Sequence, residues 1–247
     1  MQKKPVVALA QIKYFEKGWN NLEKIKEYIR KAKKAKADII CFPESCVHKT
    51  KFLTINHELL KQIRNECRKN SIWCIITEHI NVKKKDYNAA VLIDRKGKIK
   101  GLYKKINLYG DEIEAGKKTM VFETDFAKIG IAICWDLAFP EVFRKMRKKG
   151  AEIIFCPSKW WYEINAHEKA HKKKEIKIIQ SLMLARAFES RMYVAVCNPV
   201  MNSKFQVSYS GIASPHRILK ELIGKEGIIT QKIDLKEMRR LRRIYGS

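Results

Sequence analysis

Short apolar runs alternate with segments of helical periodicity along most of the chain. Residues 6–12 and 37–42 are largely apolar, which is typical of strands that are covered on both faces. Between them, Leu22, Ile25 and Ile29 recur at helical spacing, so residues 20–36 are predicted to form a helix. Further helices are predicted over residues 57–70, 140–149 and 172–190, with a basic helix at the end of the chain.

Turn signals separate the other predicted strands. Residues 88–94 and 98–105 are predicted to form a hairpin around Gly97, because glycine accommodates the positive φ that such a turn needs. A second pair is predicted over residues 120–124 and 128–134. Further strands are predicted at residues 72–80, 153–156, 193–197, 211–214 and 227–233. This mixture of βαβ units and hairpins predicts an α/β protein with helices on the outer faces of its sheets, in a single domain over residues 1–247.

Composition narrows the class of protein. The hydrophobic content of 46% is enough for a sizeable core, and no apolar run approaches the roughly 18 residues that a membrane helix needs. The seven cysteines are an odd number, include no CxxC pair and mostly lie in apolar runs, which is typical of reduced, buried thiols. We therefore expect a soluble, cytoplasmic protein, with no membrane partner and no signal segment before its first strand.

The net charge of +26 raises the question of a nucleic-acid partner. The lysines, however, are spread over almost every predicted helix, and no base-reading motif with interleaved aromatic residues accompanies them. Solvated helix faces explain this dispersal better than a dedicated interface does. We expect binding to nucleic acid to be non-specific and sensitive to salt.

Three reactive side chains stand at the ends of three predicted strands. Glu44 follows the run ending at Phe42, Lys105 ends the strand that begins near residue 98, and Cys134 ends the strand that begins at residue 128. Open α/β folds place active sites at such strand ends, so the three are predicted to meet at the same edge of one sheet. A thiol nucleophile, a carboxylate base and an ammonium group suit attack on a carbon bonded to nitrogen.

Each of these residues alone has an ordinary structural explanation. Glu44 could cap the next helix, and Cys134 could be a small core residue. Lys105 is one of 52 basic residues, and its neighbour Lys104 could be the inward one. Only the combination of the three indicates a catalytic site.

Three segments of the chain resemble the signature segments of the nitrilase superfamily, the carbon–nitrogen hydrolases. They are Phe42-Pro43-Glu44, Tyr103-Lys104-Lys105-Ile106-Asn107-Leu108 and Ile133-Cys134-Trp135-Asp136-Leu137-Ala138-Phe139-Pro140-Glu141. Their order also agrees with the family, and the resemblance continues through Pro157-Ser158 to residue 215. It therefore extends over nearly the whole chain.

The resemblance implies a fold and a set of roles. The fold is a four-layer α-β-β-α sandwich whose members commonly dimerise, so at least a homodimer is expected. Cys134 is the implied nucleophile, Glu44 the general base and Lys105 the cation beside the tetrahedral intermediate. The backbone N–H of Trp135 is expected to complete the oxyanion site, and Trp135, Ser158 and Trp160 are expected to bind substrate. Trp161 is the alternative to Trp160 as an aromatic wall of the pocket, and either tryptophan could instead be a core residue. Neither a cofactor nor a metal is expected.

The second glutamate of the family is less clear in this chain. Glu112 matches its position, but the stretch from there to Gly116 looks shortened, and Glu114 is a rival. The family's usual histidine after the lysine is Asn107 here, and its usual arginine before it is Lys104. Contacts around the three catalytic residues must therefore differ from those of typical members.

Competing sites and functions are weaker. His167-Glu168-Lys169-Ala170-His171 matches the HExxH zinc motif, but the lysines that follow make the segment strongly cationic. No histidine stands in a context that suggests a papain-like base. The expected substrate is a small amide or N-carbamoyl compound, since Cys134-Trp135-Asp136 looks more like the amidase branches. The alternatives are a true nitrilase and a weakly active family member that serves as a basic binding or assembly protein.

Overall fold

Two β-sheets pack face to face, and helices cover their outer faces, in a computed structural model that describes residues 4–14, 19–49, 52–110, 112–163 and 165–246. The strands of the first sheet are β1 (Val6–Gln11), β2 (Ile39–Cys41), β3 (Leu53–Thr54), β4 (Trp73–Val82), β5 (Lys85–Ile93), β6 (Ile99–Lys104) and β13 (Gly227–Lys232). Those of the second are β7 (Val121–Glu123), β8 (Lys128–Ile131), β9 (Ile153–Pro157), β10 (Tyr193–Cys197), β11 (Tyr209–Ala213) and β12 (Ile218–Ile223).

The helices lie between these strands in the chain. They are α1 (Leu22–Lys34), α2 (Glu58–Asn70), α3 (Pro140–Lys148), α4 (His171–Ser190) and α5 (Leu235–Tyr245), with a short 3₁₀ helix over Cys134–Ala138. No helix within the described residues is both long enough and apolar enough to cross a membrane.

Parallel strands form the centre of each sheet and set the position of the site. In the first sheet the order is β13-β1-β2-β4-β5-β6, with β3 paired to β4, and β1, β2 and β4 run parallel. In the second sheet the order is β12-β11-β10-β9-β8-β7, and β8, β9 and β10 run parallel. The carboxyl ends of parallel strands meet at one edge of a sheet, where side chains on the following loops can converge.

The core explains why the central strands are apolar throughout. Along β1, Val7 and Leu9 face the second sheet, whereas Ala8 and Ala10 pack towards α1 and α2. Successive side chains of a strand point to opposite faces, so a strand between a sheet and a layer of helices needs apolar residues at every position. This burial confirms the predicted α/β fold with helices on the outer faces.

Most predicted elements are present, with a few differences. The hairpin turn at Gly97 has φ +73° as predicted, and an added Cβ there would lie 2.5 Å from the carbonyl oxygen of Arg64. Strands β3 and β12 were not predicted, because β3 spans two residues and β12 has Lys220 and Glu221 between two apolar pairs, which gives neither an alternating pattern nor a continuous apolar run. The strand predicted to end at Cys134 stops at Ile131 instead.

Candidate active site

The turn that carries Cys134 is held in an unusual backbone conformation. Cys134 has φ +46°, a left-handed value that is uncommon for a residue other than glycine, and it begins the 3₁₀ helix. The backbone N–H of Ile133 donates to Asp136 Oδ2 at 3.0 Å, which closes the turn from within. Such strained positions persist only where surrounding contacts enforce them. Here they place a thiol beyond the carboxyl end of β8.

Asp136 links this turn to the segment after β6. Its Oδ2 accepts from the Tyr103 hydroxyl at 2.7 Å, and its Oδ1 accepts from the backbone N–H and side-chain amide of Asn107 at 2.8 and 2.9 Å. Burial raises the pKa of the Asp136 carboxyl, although these hydrogen bonds oppose the shift. Asn107, where the family usually has histidine, thus fixes the Lys105 segment to the Cys134 turn.

Glu44 lies three residues beyond β2 and is only 4% exposed. Its Oε1 accepts from Lys105 Nζ at 3.0 Å and from Asn88 Nδ2 at 2.6 Å, and its Oε2 accepts from the backbone N–H of Lys159 at 2.9 Å. Burial alone would raise the pKa of Glu44, but the charges of Lys105 and Lys159 and these hydrogen bonds outweigh it and lower the pKa. The carboxylate is therefore ionised at neutral pH.

The backbone around Glu44 and Lys105 is also fixed. The N–H of Glu44 donates to the Ser158 carbonyl at 3.2 Å, and the Tyr14 hydroxyl donates to the Glu44 carbonyl at 3.0 Å. Lys105 N–H donates to the Asn88 carbonyl at 2.8 Å. Lys105 is 3% exposed, so its ammonium group and the Glu44 carboxylate form a buried ion pair.

The Cys134 thiol is neutral beside this ionised carboxylate. Burial raises its pKa well above the usual range of a thiol, and the charge of Glu44 adds to the shift, while Lys105 and the Lys159 N–H oppose it. The resting pair is thus a thiol and a carboxylate. Nucleophilic attack by this thiol would therefore need a group that removes its proton, and Glu44 faces the same space.

A cavity of about 280 Å³ brings the three predicted catalytic side chains together. Its lining residues are Glu44, Ser45, His79, Asn88, Lys105, Tyr109, Gly110, Cys134, Trp135, Lys159, Trp160, Trp161 and Gln206. The expectation that Glu44, Lys105 and Cys134 share the edge of one sheet is wrong. Glu44 and Lys105 follow strands of the first sheet and Cys134 follows a strand of the second, so the cavity lies where the two sheets meet.

The residues expected to bind substrate divide into two groups. Trp135 and Trp160 line the cavity, and Trp160 is oriented by donation of its indole N–H to Glu175 Oε2 at 2.9 Å. Ser158 is fully buried behind the cavity, where its hydroxyl donates to the Cys156 carbonyl at 3.1 Å. Its contribution in this structure is the carbonyl that fixes the Glu44 backbone.

The structure does not bring either candidate second glutamate to the cavity. Glu112 is exposed and is not one of the lining residues. Glu114 is exposed as well, and its Oε1 pairs with Lys85 Nζ at 2.8 Å. The assignment of Glu112 as a further catalytic residue stays a prediction from the sequence.

The HExxH segment does not form the helix on which the two histidines of this motif would lie one turn apart and bind zinc. His167 precedes α4, which begins at His171, so the two rings do not lie one turn apart on a helix. His167 Nε2 contacts Glu175 Oε1 at 2.7 Å, and the His171 ring stacks on Tyr162 with centroids 5.7 Å apart. Within the described ranges, no cluster of three or more His, Cys, Asp or Glu side chains is arranged to hold a metal ion.

Several residues of the site were not identified from the sequence. Asn88 and the Lys159 N–H both bind Glu44, and Tyr109 extends the aromatic wall beside Trp161, with ring centroids 5.2 Å apart. Asn88 gave one signal, since it is a polar residue at the start of an apolar run. A backbone donor such as the Lys159 N–H cannot be recognised from the sequence, because every residue except proline has a backbone N–H.

Comparison with known proteins agrees with this geometry. The family model for carbon-nitrogen hydrolases matches residues 6–243. The 2-oxoglutaramate amidase of Bacillus subtilis is 30% identical over 241 residues, which cover 90% of this chain and 87% of the relative. A probable nitrilase of Schizosaccharomyces pombe is 30% identical over 167 residues, and that match covers 64% of this chain and 57% of the relative. The crystal structure of a carbon-nitrogen hydrolase from Helicobacter pylori has a TM-score of 0.86 at 19% identity, covers 98% of this chain and 93% of its own, and so shares the fold.

Proposed function

Because this chain belongs to the carbon–nitrogen hydrolase family, we propose that it hydrolyses the C–N bond of a small amide or N-carbamoyl compound through a cysteine thioester. Cys134 is the nucleophile, Glu44 the general base and Lys105 the cation at the oxyanion. The observation that carries this proposal is the convergence of the three side chains on one cavity of about 280 Å³. A cavity of that size, with aromatic walls, suits a small substrate.

Proton accounting supports the roles in the first half-reaction. The thiol of Cys134 is neutral and the Glu44 carboxylate is ionised, so the proton moves from sulfur to Glu44 as the C–S bond forms. The carbonyl oxygen gains negative charge, which the Lys105 ammonium and the backbone N–H of Trp135 stabilise. Glu44 then gives the proton to the departing nitrogen, and ammonia or an amine leaves behind a thioester on Cys134.

The second half-reaction uses the same groups in the same order. Glu44, again ionised, accepts a proton from water as the water oxygen attacks the thioester carbon. Lys105 and Trp135 N–H stabilise the second oxyanion. The C–S bond breaks, the sulfur regains its proton from Glu44, and the acid product leaves. Every bond is made or broken by groups of this chain, the substrate and water.

Asn88 positions the Glu44 carboxylate from the wall of the cavity. Its Nδ2 donates to Glu44 Oε1 at 2.6 Å, and its Oδ1 is turned away from Glu44 and enclosed by the protein. The preference for amides and carbamoyl compounds over nitriles rests on the relatives, among them the 2-oxoglutaramate amidase of Bacillus subtilis.

Ammonia release across a panel of amides, carbamoyl compounds and nitriles tests the proposal. Cys134→Ala is expected to fold and release no ammonia, whereas Cys74→Ala, which also removes a buried thiol, is expected to stay active. Mass spectrometry of the wild-type protein after brief exposure to the same panel is expected to find the acyl group on Cys134. An active Cys134→Ala protein would disprove the assignment. Salt-dependent nucleic-acid binding without any turnover would instead indicate a binding or assembly protein.

The same proposal includes a dimer. Phe188, Ile244 and Tyr245 are exposed apolar side chains, and the Phe188 and Tyr245 rings lie 5.7 Å apart. Clustered exposed apolar residues favour an interface, here with a second copy of this chain. Light scattering coupled to size exclusion is expected to give the mass of a dimer, and Tyr245→Lys is expected to shift it to a monomer. A monomeric wild-type protein would refute this assembly.

We also propose a single hydrolase domain over residues 1–247 in the cytoplasm. The seven cysteines are all free and buried, which supports a reducing compartment. Limited proteolysis that leaves one resistant core would agree with a single domain, and two stable fragments would contradict it.

A further inference from the structure

A second cavity, of about 660 Å³, lies at the end of the first sheet opposite the active site. Its residues come from the segment before β1, the start of β2, and the connection from β13 to α5. In the antiparallel pair of β1 and β13, Val6 lies beside Lys232, which places both at this end. Glu44 lies beyond the opposite end of β2, so the two cavities are separated by the length of the central strands.

The rim of this cavity is strongly basic. Its charged lining residues are Lys4, Lys33, Lys36, Arg95, Lys232 and Lys236 on the basic side and Asp38 and Asp234 on the acidic side. Both acids already have cationic partners. Asp38 pairs with Arg95 at 2.8 Å, and Asp234 pairs with Lys4 at 2.5 Å.

Four lysines of the rim remain without a carboxylate partner. Among the residues for which the structure gives positions, no ion pair is formed by Lys33, Lys36, Lys232 or Lys236. Their positive charges repel one another, and no carboxylate of the described ranges pairs with them. The cavity therefore offers a concentrated positive potential to an anion.

Local helix structure does not explain this cluster. Lys33 lies in the last turn of α1, where the helix dipole favours a cation. Lys236, in contrast, lies in the first turn of α5, where the dipole disfavours a cation. The N-terminus of α5 is already capped by Asp234, which accepts from the N–H groups of Lys236 and Glu237 at 3.1 Å. The helix dipole therefore does not account for a lysine at that position.

The walls beneath the rim are apolar. Pro5, Val6, Ala37 and Leu235 line the cavity, and Val6, Ala37 and Leu235 belong to the buried core. A volume of about 660 Å³ lies in the range of ligand pockets, which combine apolar walls with a few polar groups that set specificity. The ligand that fits carries both a compact multiple negative charge and an apolar or aromatic body.

We propose that this cavity binds a nucleoside diphosphate or a chemically similar organic polyphosphate, with the phosphates against the four unpaired lysines and the ring system against the apolar wall. Lysine ammonium groups bind phosphate oxygens as point charges, and four of them match a diphosphate better than a single carboxylate. This site is independent of the hydrolase reaction and of the residues assigned to it.

Isothermal titration calorimetry with ADP tests the site. Adenosine, which has the ring system without the phosphates, and inorganic pyrophosphate, which has the phosphates without the ring system, are the two comparison probes. In about 0.15 M KCl, which screens diffuse attraction, ADP is expected to bind with a Kd below about 100 µM. Adenosine and pyrophosphate are each expected to bind at least about tenfold more weakly than ADP, because each loses one of the two contact types.

Charge-matched double variants separate the cavity from the general basic surface. Lys33→Gln/Lys36→Gln and Lys232→Gln/Lys236→Gln are each expected to weaken ADP binding on the order of tenfold or more. Lys83→Gln/Lys84→Gln removes the same charge at the exposed β4–β5 turn, at the far end of the sheet, and is expected to leave Kd within about threefold. All six positions are exposed, so folding is retained, and a thermal melt of each variant checks it.

Three results would overturn the proposal. They are no ADP binding at about 1 mM, an equal loss of affinity in the Lys83/Lys84 control, and pyrophosphate binding as tight as that of ADP. Each leaves the hydrolase assignment untouched, because that assignment rests on Cys134 and is read out by ammonia release.

Discussion

Replacing Lys105 by methionine is the sharpest test of the electrostatics of the active site. The change keeps a long, unbranched side chain and removes the ammonium group that lies 3.0 Å from Glu44 Oε1. Glu44 and Lys105 are 4% and 3% exposed, so solvent compensates only part of the lost interaction. Removing one member of a buried ion pair costs about 3–5 kcal/mol, since it leaves an uncompensated charge. That is a large part of a typical stability of about 5–15 kcal/mol.

The pH dependence separates this charge effect from loss of packing. In the wild-type protein the pKa of Glu44 is lowered, so its contribution to stability is present above the pKa of the unfolded chain and is lost as pH falls through the folded pKa. Without Lys105 the largest charge that opposes the effect of burial is lost, and the pKa of Glu44 is expected to rise, so the variant is expected to regain stability as acidification protonates Glu44. The stability gap between the two proteins is therefore expected to be widest near neutral pH and to narrow as the pH falls.

Urea unfolding followed by tryptophan fluorescence measures the gap at each pH. The double variant Glu44→Gln/Lys105→Met removes both charges and is the matched control. It is expected to be less destabilised at neutral pH than Lys105→Met alone, with a coupling of about 1–3 kcal/mol in a double-mutant cycle. A gap that does not change with pH, or a double variant as unstable as the sum of the two single variants, would refute the reasoning. Both variants are expected to have lost ammonia release.

Three further predictions follow from contacts around the site. Gly116→Ala places a Cβ 2.1 Å from the backbone carbonyl oxygen of Lys104, so it is expected to lower the free energy of unfolding in urea by about 1–3 kcal/mol. An unchanged urea midpoint would contradict this steric overlap. Asn88→Ala removes the donor 2.6 Å from Glu44 Oε1, so kcat/KM for an amide is expected to fall on the order of tenfold or more. An unchanged kcat/KM would contradict a positioning role for Asn88. Burial and the charge of Glu44 raise the pKa of the Cys134 thiol, so the difference in ultraviolet thiolate absorbance between wild type and Cys134→Ala is expected to stay flat up to about pH 9. A rise in this difference near pH 7 would show an activated thiolate instead.

Most helices and strands could be predicted from the sequence, because the burial of a position restricts which residue types occur there. A strand covered on both faces must be apolar at each position, and an amphipathic helix must repeat its apolar residues at helical spacing, so both leave a readable pattern. Strand β12 left no such pattern, because its residues are only partly buried at one edge of the second sheet. The boundary of β8 was misplaced for a related reason. Residues 132–134 remain apolar and buried although the strand has ended, and burial alone does not distinguish a strand from a strained turn.

The proposed catalytic residues could be named from the sequence because they are chemically distinctive residues that follow apolar runs. Glu44, Lys105 and Cys134 combine the three group types that amide hydrolysis needs, and each lies at or just beyond the carboxyl end of a predicted strand. Their partners were found only in the structure. Asn88 and Lys159 N–H hold Glu44 across sequence separations of 44 and 115 residues, distances at which local pattern has no predictive content.

The sequence by itself determined which chemical groups are available for a reaction, the apolar pattern of the strands in the two sheets, and the order of helices and strands along the chain. Only the tertiary structure decided that Cys134 follows a strand of a different sheet from Glu44 and Lys105, and that its thiol is neutral beside an ionised carboxylate. It also decided that four lysines distant in sequence surround one cavity. The physical reason is that residue type records burial and chemistry, which are local. Distance and charge environment depend on which strands pair and which faces pack, and these are properties of the folded chain as a whole.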